Sequence, residues 1–350
     1  MGSSAAEGGE ARPLGPWRLA WRRLRRDRWS FASLVALVCI VAACFAGGAI
    51  ATQLSGHSGE DLFPYAANDN LRAVGPWTRI PALNDAVSDA YGDIKTPPPG
   101  TKTTLLVLGA DGPLGRDELI RLLDGGRTSL EIAIGGALIA LLIGLPLGAV
   151  AGYFGGLTDA VVSRVTEAVM AFPLLLFLIF ASVRLGQGIR GVGWGWEIPS
   201  GVFEEALLIG AFTAFYPARL VRAQLLTLRH AEFVEAAEMV GAPHRRILRR
   251  HLIPHVVPSL LVWAGIAVGT NILLEVGLSF VGVGVQPQVP SWGSLLSTTW
   301  GTFFQPQVYN SRLYTPWQTI LPTLAIVVTV VALNQVSEGL RRAIAPWERF

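Results

Sequence analysis

The sequence predicts an all-α polytopic integral membrane protein with six transmembrane helices. Three observations carry that prediction. Hydrophobic residues make up 51% of the 350 residues and charged residues only 15%, a balance too apolar for an ordinary soluble domain. The apolar residues come in long runs rather than in alternation, as bilayer-crossing helices require. The charge is also segregated, so the formal net charge of +3 says little. Arg18 to Arg28 hold six arginines and Arg245 to Arg250 four more. Basic clusters beside apolar runs fix orientation in a membrane more often than they bind nucleic acid.

The six expected spans are Phe31–Ala51, Ser129–Tyr153, Ala160–Val183, Phe203–Val221, Val256–Leu278 and Trp317–Val336. The first apolar run is long enough to cross, and its basic lead is too long for a cleavable signal, so it should remain as an anchor. Its arginines place the N-terminus in the cytoplasm. Counting crossings then puts Glu232–His255 and Arg341–Arg342 on the same side. The resulting division is a basic cytoplasmic N-terminus (1–28), an anchor (29–52), an external loop with an interfacial lead-in helix (53–127), a five-helix core (128–340) holding a cytoplasmic hairpin (229–255), and a cytoplasmic tail (341–350). Cys39 and Cys44 both fall in the first span, without the His or acidic neighbours of a reactive thiol, and read as packing residues.

Between the spans, the stretch from Thr52 to about Thr104 is rich in Pro, Gly, Asn and Asp, includes "KTPPPG", and shows no sustained period. It reads as irregular structure or a small appended module. Leu119 to Leu130 turns helical and leads into the second span. That span carries Gly144, Gly148 and Gly152 four residues apart, a stripe that lets a neighbouring backbone approach closely. "GQGIRGVGWGWEIPSG" joins the third and fourth spans outside, and its tryptophans suit an interface. Gly282–Pro316, between the last two spans, is rich in Pro and aromatic residues and could dip back into the protein as a re-entrant loop.

The stretch "EFVEAAEMVGAPHRRILRRHLIPHVVPSLL", Glu232–Leu261, is the polar exception. At helical spacing Phe233, Ala236, Ala237 and Val240 share one stripe, with Glu232, Glu235 and Glu238 on the other side. Gly241 stands where a helix would end in the left-handed conformation, and Pro243 is placed to open the next helix. Two readings of this hairpin follow from the residues alone. It could rest on the lipid surface with its arginines on headgroups, although its acids disfavour that. It could instead be a docking knob whose small residues fit a partner's groove while a Glu pairs with a partner's charge.

No phosphate-cradling G-x-x-x-x-G-K-[ST] loop occurs, so this chain is not expected to hydrolyse ATP itself. Neither H-E-x-x-H nor G-x-S-x-G is present, and no catalytic constellation emerges. His244, His251 and His255 sit among arginines, which disfavour a bound cation, so no metal site is expected. Glu275, near the outer end of the fifth span, is an ionisable residue at membrane depth: a translocation-path residue, or one tied internally to Ser or Asn of a neighbouring helix. A gradient-driven secondary transporter should show inverted repeats, and none is convincing here.

Glu235-Ala236-Ala237, then Gly241, then Ile253-Pro254 resemble the EAA loop of ABC importer permeases. The wider resemblance is to the second permease of the dipeptide/oligopeptide/nickel class. It is carried by "LGADGPLGRDELIRLLDGGRTSL", "LPLGAVAGYFGGLTDAVVSRVTEAVMAFP", "LLEVGLSFVGVGVQPQVPSWGSLL" and "LPTLAIVVTVVALNQVSEGLRRAIAP", spread from Leu108 to Pro346. The resemblance implies a type I ABC importer permease fold in a bacterial plasma membrane. It also implies a second permease subunit, two cytoplasmic ATPase subunits that hold ATP and Mg2+, and an external solute-binding protein. Glu235, Ala236, Ala237, Gly241, Ile253 and Pro254 would couple to the ATPases. Cargo in the class runs from di- and oligopeptides to nickel, with peptides expected here. The family's Leu-Pro is Ile253-Pro254 in this chain, a conservative change, and one extra residue lies within Leu108–Asp117; the outer loops are longer, and those loops bear on solute choice.

Overall fold

A computed structural model describes residues 16–66, 73–82, 100–111, 115–185, 201–285, 289–304 and 316–344. The expectations for "KTPPPG" and for the Gly/Trp segment fall almost wholly outside these residues.

Helix α1 (Pro16–Arg26) leads into α2 (Arg28–Ala42), which continues through a π-helical turn (Ala43–Gly47) into α3 (Gly48–Ser55). Asp27 starts α2 by accepting from the Trp29 amide. Together α2 and α3 form the first apolar span, Arg28–Ser55. The second is α4 (Glu118–Phe154), opened by Asp117, whose carboxylate accepts from the amides of Leu119 and Ile120. The lead-in helix and second span are therefore one continuous rod.

The third crossing is not straight. Helices α5 (Gly156–Met170) and α6 (Leu174–Leu185) meet at 88° across Ala171–Pro173. Pro173 lacks the amide a continuous helix would use and restricts Phe172 before it, so the apolar run from 160 to 183 breaks there. The fourth is α7 (Val202–Thr213) with α8 (Phe215–Leu228). Short α9 (Glu232–Met239) follows. Then α10 (His244–Arg246) passes through a π-helical segment, Ile247–Leu252, into α11 (Ile253–Phe280). Helix α12 (Trp292–Phe304) lies in the segment between the last two spans, and α13 (Pro316–Ile344) is the final crossing. Among the described residues, five helices are long and apolar enough to cross a membrane, and the bent pair α5–α6 supplies a sixth.

The glycine stripe explains the tightest packing. A Cβ added at Gly144 would fall on the backbone oxygen of Ala214, just before α8, one at Gly148 on that of Ala218 within α8, and one at Gly152 would lie 2.8 Å from the Arg222 oxygen. In lipid, such close backbone approach replaces the solvent-driven association available in water. Leu142, two residues before Gly144, is 74% exposed and marks the opposite, open side of α4.

The segment after α3 is a small module rather than irregular chain. Strands β1 (Thr78–Pro81) and β2 (Thr103–Leu106) pair antiparallel, as do β3 (Ala110–Asp111) and β4 (Arg116–Asp117). Phe63, Ile80, Leu106 and Ala110 form its own core. Gln318 Nε2 donates to the Ala110 oxygen (2.8 Å), pinning the module to α13.

Candidate functional site: the helical elbow after the fourth span

Helix α9 is held to the bundle by one side. Val234 is fully buried in a cluster with Val221, Leu225, Ile247, Leu252 and Val256, and Ala237 packs on its edge. The inward face is therefore Val234–Ala237, three residues apart. Of the stripe formed by Phe233, Ala236, Ala237 and Val240, only Ala237 turns inward. Ala236 and Gly241 are exposed, Met239 is 83% exposed and Val240 89%. Phe233 is partly open and stacks on His255 at 5.2 Å. Eight residues make just over two turns, so an inward pair leaves apolar residues on the free face, beside exposed Glu232, Glu235 and Glu238.

The turn after α9 has the predicted geometry. Gly241 has φ +80°, the left-handed form that closes helices, and Ala242 N–H donates to the Ala237 oxygen at 3.0 Å. Pro243 is extended and precedes the first turn of α10. The helix that Pro243 opens is the root of the fifth span, since α10, the π segment and α11 run on without a break. Ile253 and Pro254 are the first residues of α11, where the π segment gives way to regular helix. The elbow thus stands on a rigid transmembrane rod.

Its other anchors were not apparent in the sequence. The Tyr153 hydroxyl, at the end of α4, is hydrogen-bonded to His244 Nδ1 at 2.7 Å, and Phe154 adds an edge contact to the same ring. His255 Nδ1 donates to the His251 oxygen at 2.6 Å. The three histidines lie along one helical root but serve different local contacts. On the adjacent surface Asp159 of α5 pairs with Arg222 of α8 through both carboxylate oxygens. Beside this pair a cavity of about 370 Å3 lies between α5 and α8, lined in part by Ser163, Glu167, Arg219 and Arg222.

Glu275 is remote from the elbow. It is fully buried, accepting from Ser129 Oγ of α4 and Ser279 Oγ of its own helix, both at 2.9 Å. Ser129 in turn accepts from the Trp292 amide at the start of α12 (3.1 Å). This arrangement joins α4, α11 and α12.

A second polar cluster lies at the opposite end of α4. Arg116 Nη2 and Arg121 Nε lie 2.7 and 2.9 Å from Asp111 Oδ2, and Arg121 Nη1 lies 2.6 Å from Glu60 Oε1. His57 Nε2 meets Asp117 Oδ2 at 3.0 Å and its Nδ1 lies 3.3 Å from Thr104 Oγ1. The hydrogen bond to Asp117 holds the imidazolium pKa above its ordinary value, against the opposing effect of burial. A raised folded-state pKa stabilises the fold fully below the unfolded value near 6.5 and loses that contribution as pH rises through the folded value. His57→Gln should therefore lower the thermal midpoint most at pH 6 and below, with the gap narrowing at higher pH. A gap that widens with rising pH would contradict the assignment. Asp117 was recoverable as a helix cap from "RDEL"; its partner sixty residues earlier was not.

Residues 144–350 match the family described as "Binding-protein-dependent transport system inner membrane component". The chain belongs to that family. Residues 15–72 of the permease also match the "N-terminal TM domain of oligopeptide transport permease C". Over 331 residues it is 31% identical to a glutathione transport system permease protein of Pectobacterium atrosepticum, covering 95% of this chain and 91% of that one. Over 235 residues it is 38% identical to an oligopeptide transport system permease protein of Haemophilus influenzae, covering 67% and 68%. Among solved structures, an inward-facing form of the MetNI methionine ABC transporter aligns at a TM-score of 0.48 and 21% identity, covering 64% of the permease and 96% of that chain. The permease is thus an ABC importer membrane subunit, with apolar helices suited to crossing the membrane several times.

Proposed function

We propose that this permease forms half of a transmembrane path for di- or oligopeptides, and that the α9 elbow couples the path to cytoplasmic ATPases. The observation that carries the coupling role is the free face of α9. Met239, Val240 and Ala236 are open beside three glutamates, at the tip of a segment rooted in α11 and tied to α4. Apolar side chains exposed at a rigid tip suit a protein groove, and the flanking acids suit cations on its rim. The peptide cargo is supported by the names of the relatives, which are a glutathione and an oligopeptide permease. The remaining subunits would be a second permease, two ATPases holding ATP and Mg2+, and an external solute-binding protein. The arginine-rich start supports a cytoplasmic N-terminus in a bacterial plasma membrane.

Motion of the ATPases would be delivered through Glu235, Ala236, Ala237 and Gly241 to the α10–α11 rod that begins its regular part at Ile253-Pro254. The hydrogen bond from Tyr153 to His244 would pass the same displacement to α4. Reconstituted with its partners in vesicles, the permease should take up a labelled dipeptide only with ATP and the binding protein present. The purified chain alone should not hydrolyse ATP. Uptake driven by an ion gradient without the ATPases, or hydrolysis by the isolated chain, would overturn the proposal.

A further inference from the structure

Helix α1 is a basic rod whose orientation is fixed by the end of α13. Its Leu24 is buried, and a Cβ added at Gly339 would fall on Leu24 and Ser30. Arg23 Nη1 donates to the Ala343 oxygen at 3.3 Å, Ser30 Oγ to the Gln335 oxygen at 3.3 Å, and Arg342 Nη1 lies 3.3 Å from Asp27 Oδ2. With that face turned inward, Arg22, Arg25, Arg26 and Arg28 are exposed. Helix α1 contains no acid, and Asp27 is already engaged by Ser30 and Arg342. Among the described residues, no carboxylate pairs with these four arginines. Arg25 lies over the rings of Trp21 and Phe31, each at 5.7 Å.

The position of this charge identifies what it meets. The apolar run of the first span begins at Phe31, and Trp21 and Trp29 are 47% and 79% exposed beside it. Aromatic residues with polar tips mark the membrane–water boundary, so the exposed guanidinium groups stand at headgroup depth. A guanidinium presents paired N–H donors that match two oxygens of a phosphate. We infer that α1 and the start of α2 form a headgroup-binding clamp, with Arg22, Arg25, Arg26 and Arg28 on the phosphates of anionic phospholipid against the α1–α13 junction. The inference needs only the membrane crossing of α2, and does not depend on what α9 docks against.

The test uses the full chain extracted in mild detergent from an equal mixture of phosphatidylglycerol and phosphatidylcholine. Lipid retained after exchange into lipid-free detergent is counted for each headgroup. The wild-type chain should retain phosphatidylglycerol over phosphatidylcholine, and the Arg22→Gln, Arg25→Gln, Arg26→Gln triple variant should lose about tenfold of that preference. The matching Lys triple should keep most of it, because the charge persists. Should the Gln triple fail to insert, the wild type in about 0.5 M salt reads the same interaction, since exposed charge contacts are screened there. Undiminished preference in the Gln triple, preference insensitive to salt, or equal retention of the two lipids by the wild type would each overturn the inference.

Discussion

Gly241→Asp is expected to abolish association with the ATPase subunits while leaving the permease folded and inserted. A Cβ at Gly241 meets nothing within 4 Å, so the fold itself offers no clash. The backbone at φ +80° adds a strain of about 1–2 kcal/mol, and Asp is among the side chains that tolerate this region best. The damage would come from outside, because the new carboxylate enters the contact surface beside Met239 and Val240. Glu235→Ala should be milder, weakening coupling by about 1–3 kcal/mol if its charge pair is buried on docking. Co-purification of the ATPases and solute uptake measure both. Normal association and uptake in Gly241→Asp would remove the coupling role from the elbow.

The second large effect is expected at Gly148. Leucine there would place its Cβ on the Ala218 backbone oxygen and the Val221 side chain. Neither neighbour can give way without moving α8, which carries α9 at its far end. Overpacking of this kind costs about 1–3 kcal/mol when a core adjusts, and more when two backbones must separate. Gly148→Leu should therefore lower the thermal midpoint in detergent and reduce recovery from the membrane. Leu142→Ala, on the open side of the same helix, should change little, because few side chains of the bundle pack against it. Equal stability for the two variants would mean that α4 and α8 are not in backbone contact.

The contrast between these positions shows what local sequence could reveal. The glycine stripe, the left-handed turn at Gly241 and five of the six crossings follow from period and residue type alone. The bend after Met170 was also marked, by Pro173, but an uninterrupted apolar run concealed it. Which face of α9 turns inward was not legible, because Val234 and Phe233 are adjacent and equally apolar. Only the pocket formed by Ile247, Leu252 and Val256 decides which turns inward. The polar ties were least visible. Glu275 with Ser129, His57 with Asp117 and Tyr153 with His244 join residues 146, 60 and 91 positions apart. No spacing rule spans such distances; the helix bundle brings these groups together.

In the assembled importer the free face of α9 is expected to meet an ATPase. Met239→Cys, in a background with Cys39 and Cys44 replaced by alanine, puts a single thiol on that face at a position 83% exposed in the isolated permease. In membranes holding the assembled complex, a short thiol-reactive cross-linker should join position 239 to an ATPase subunit. The same thiol should label freely with a soluble reagent once the ATPases are stripped away. Free labelling in the intact complex, with no cross-linked product, would contradict the account.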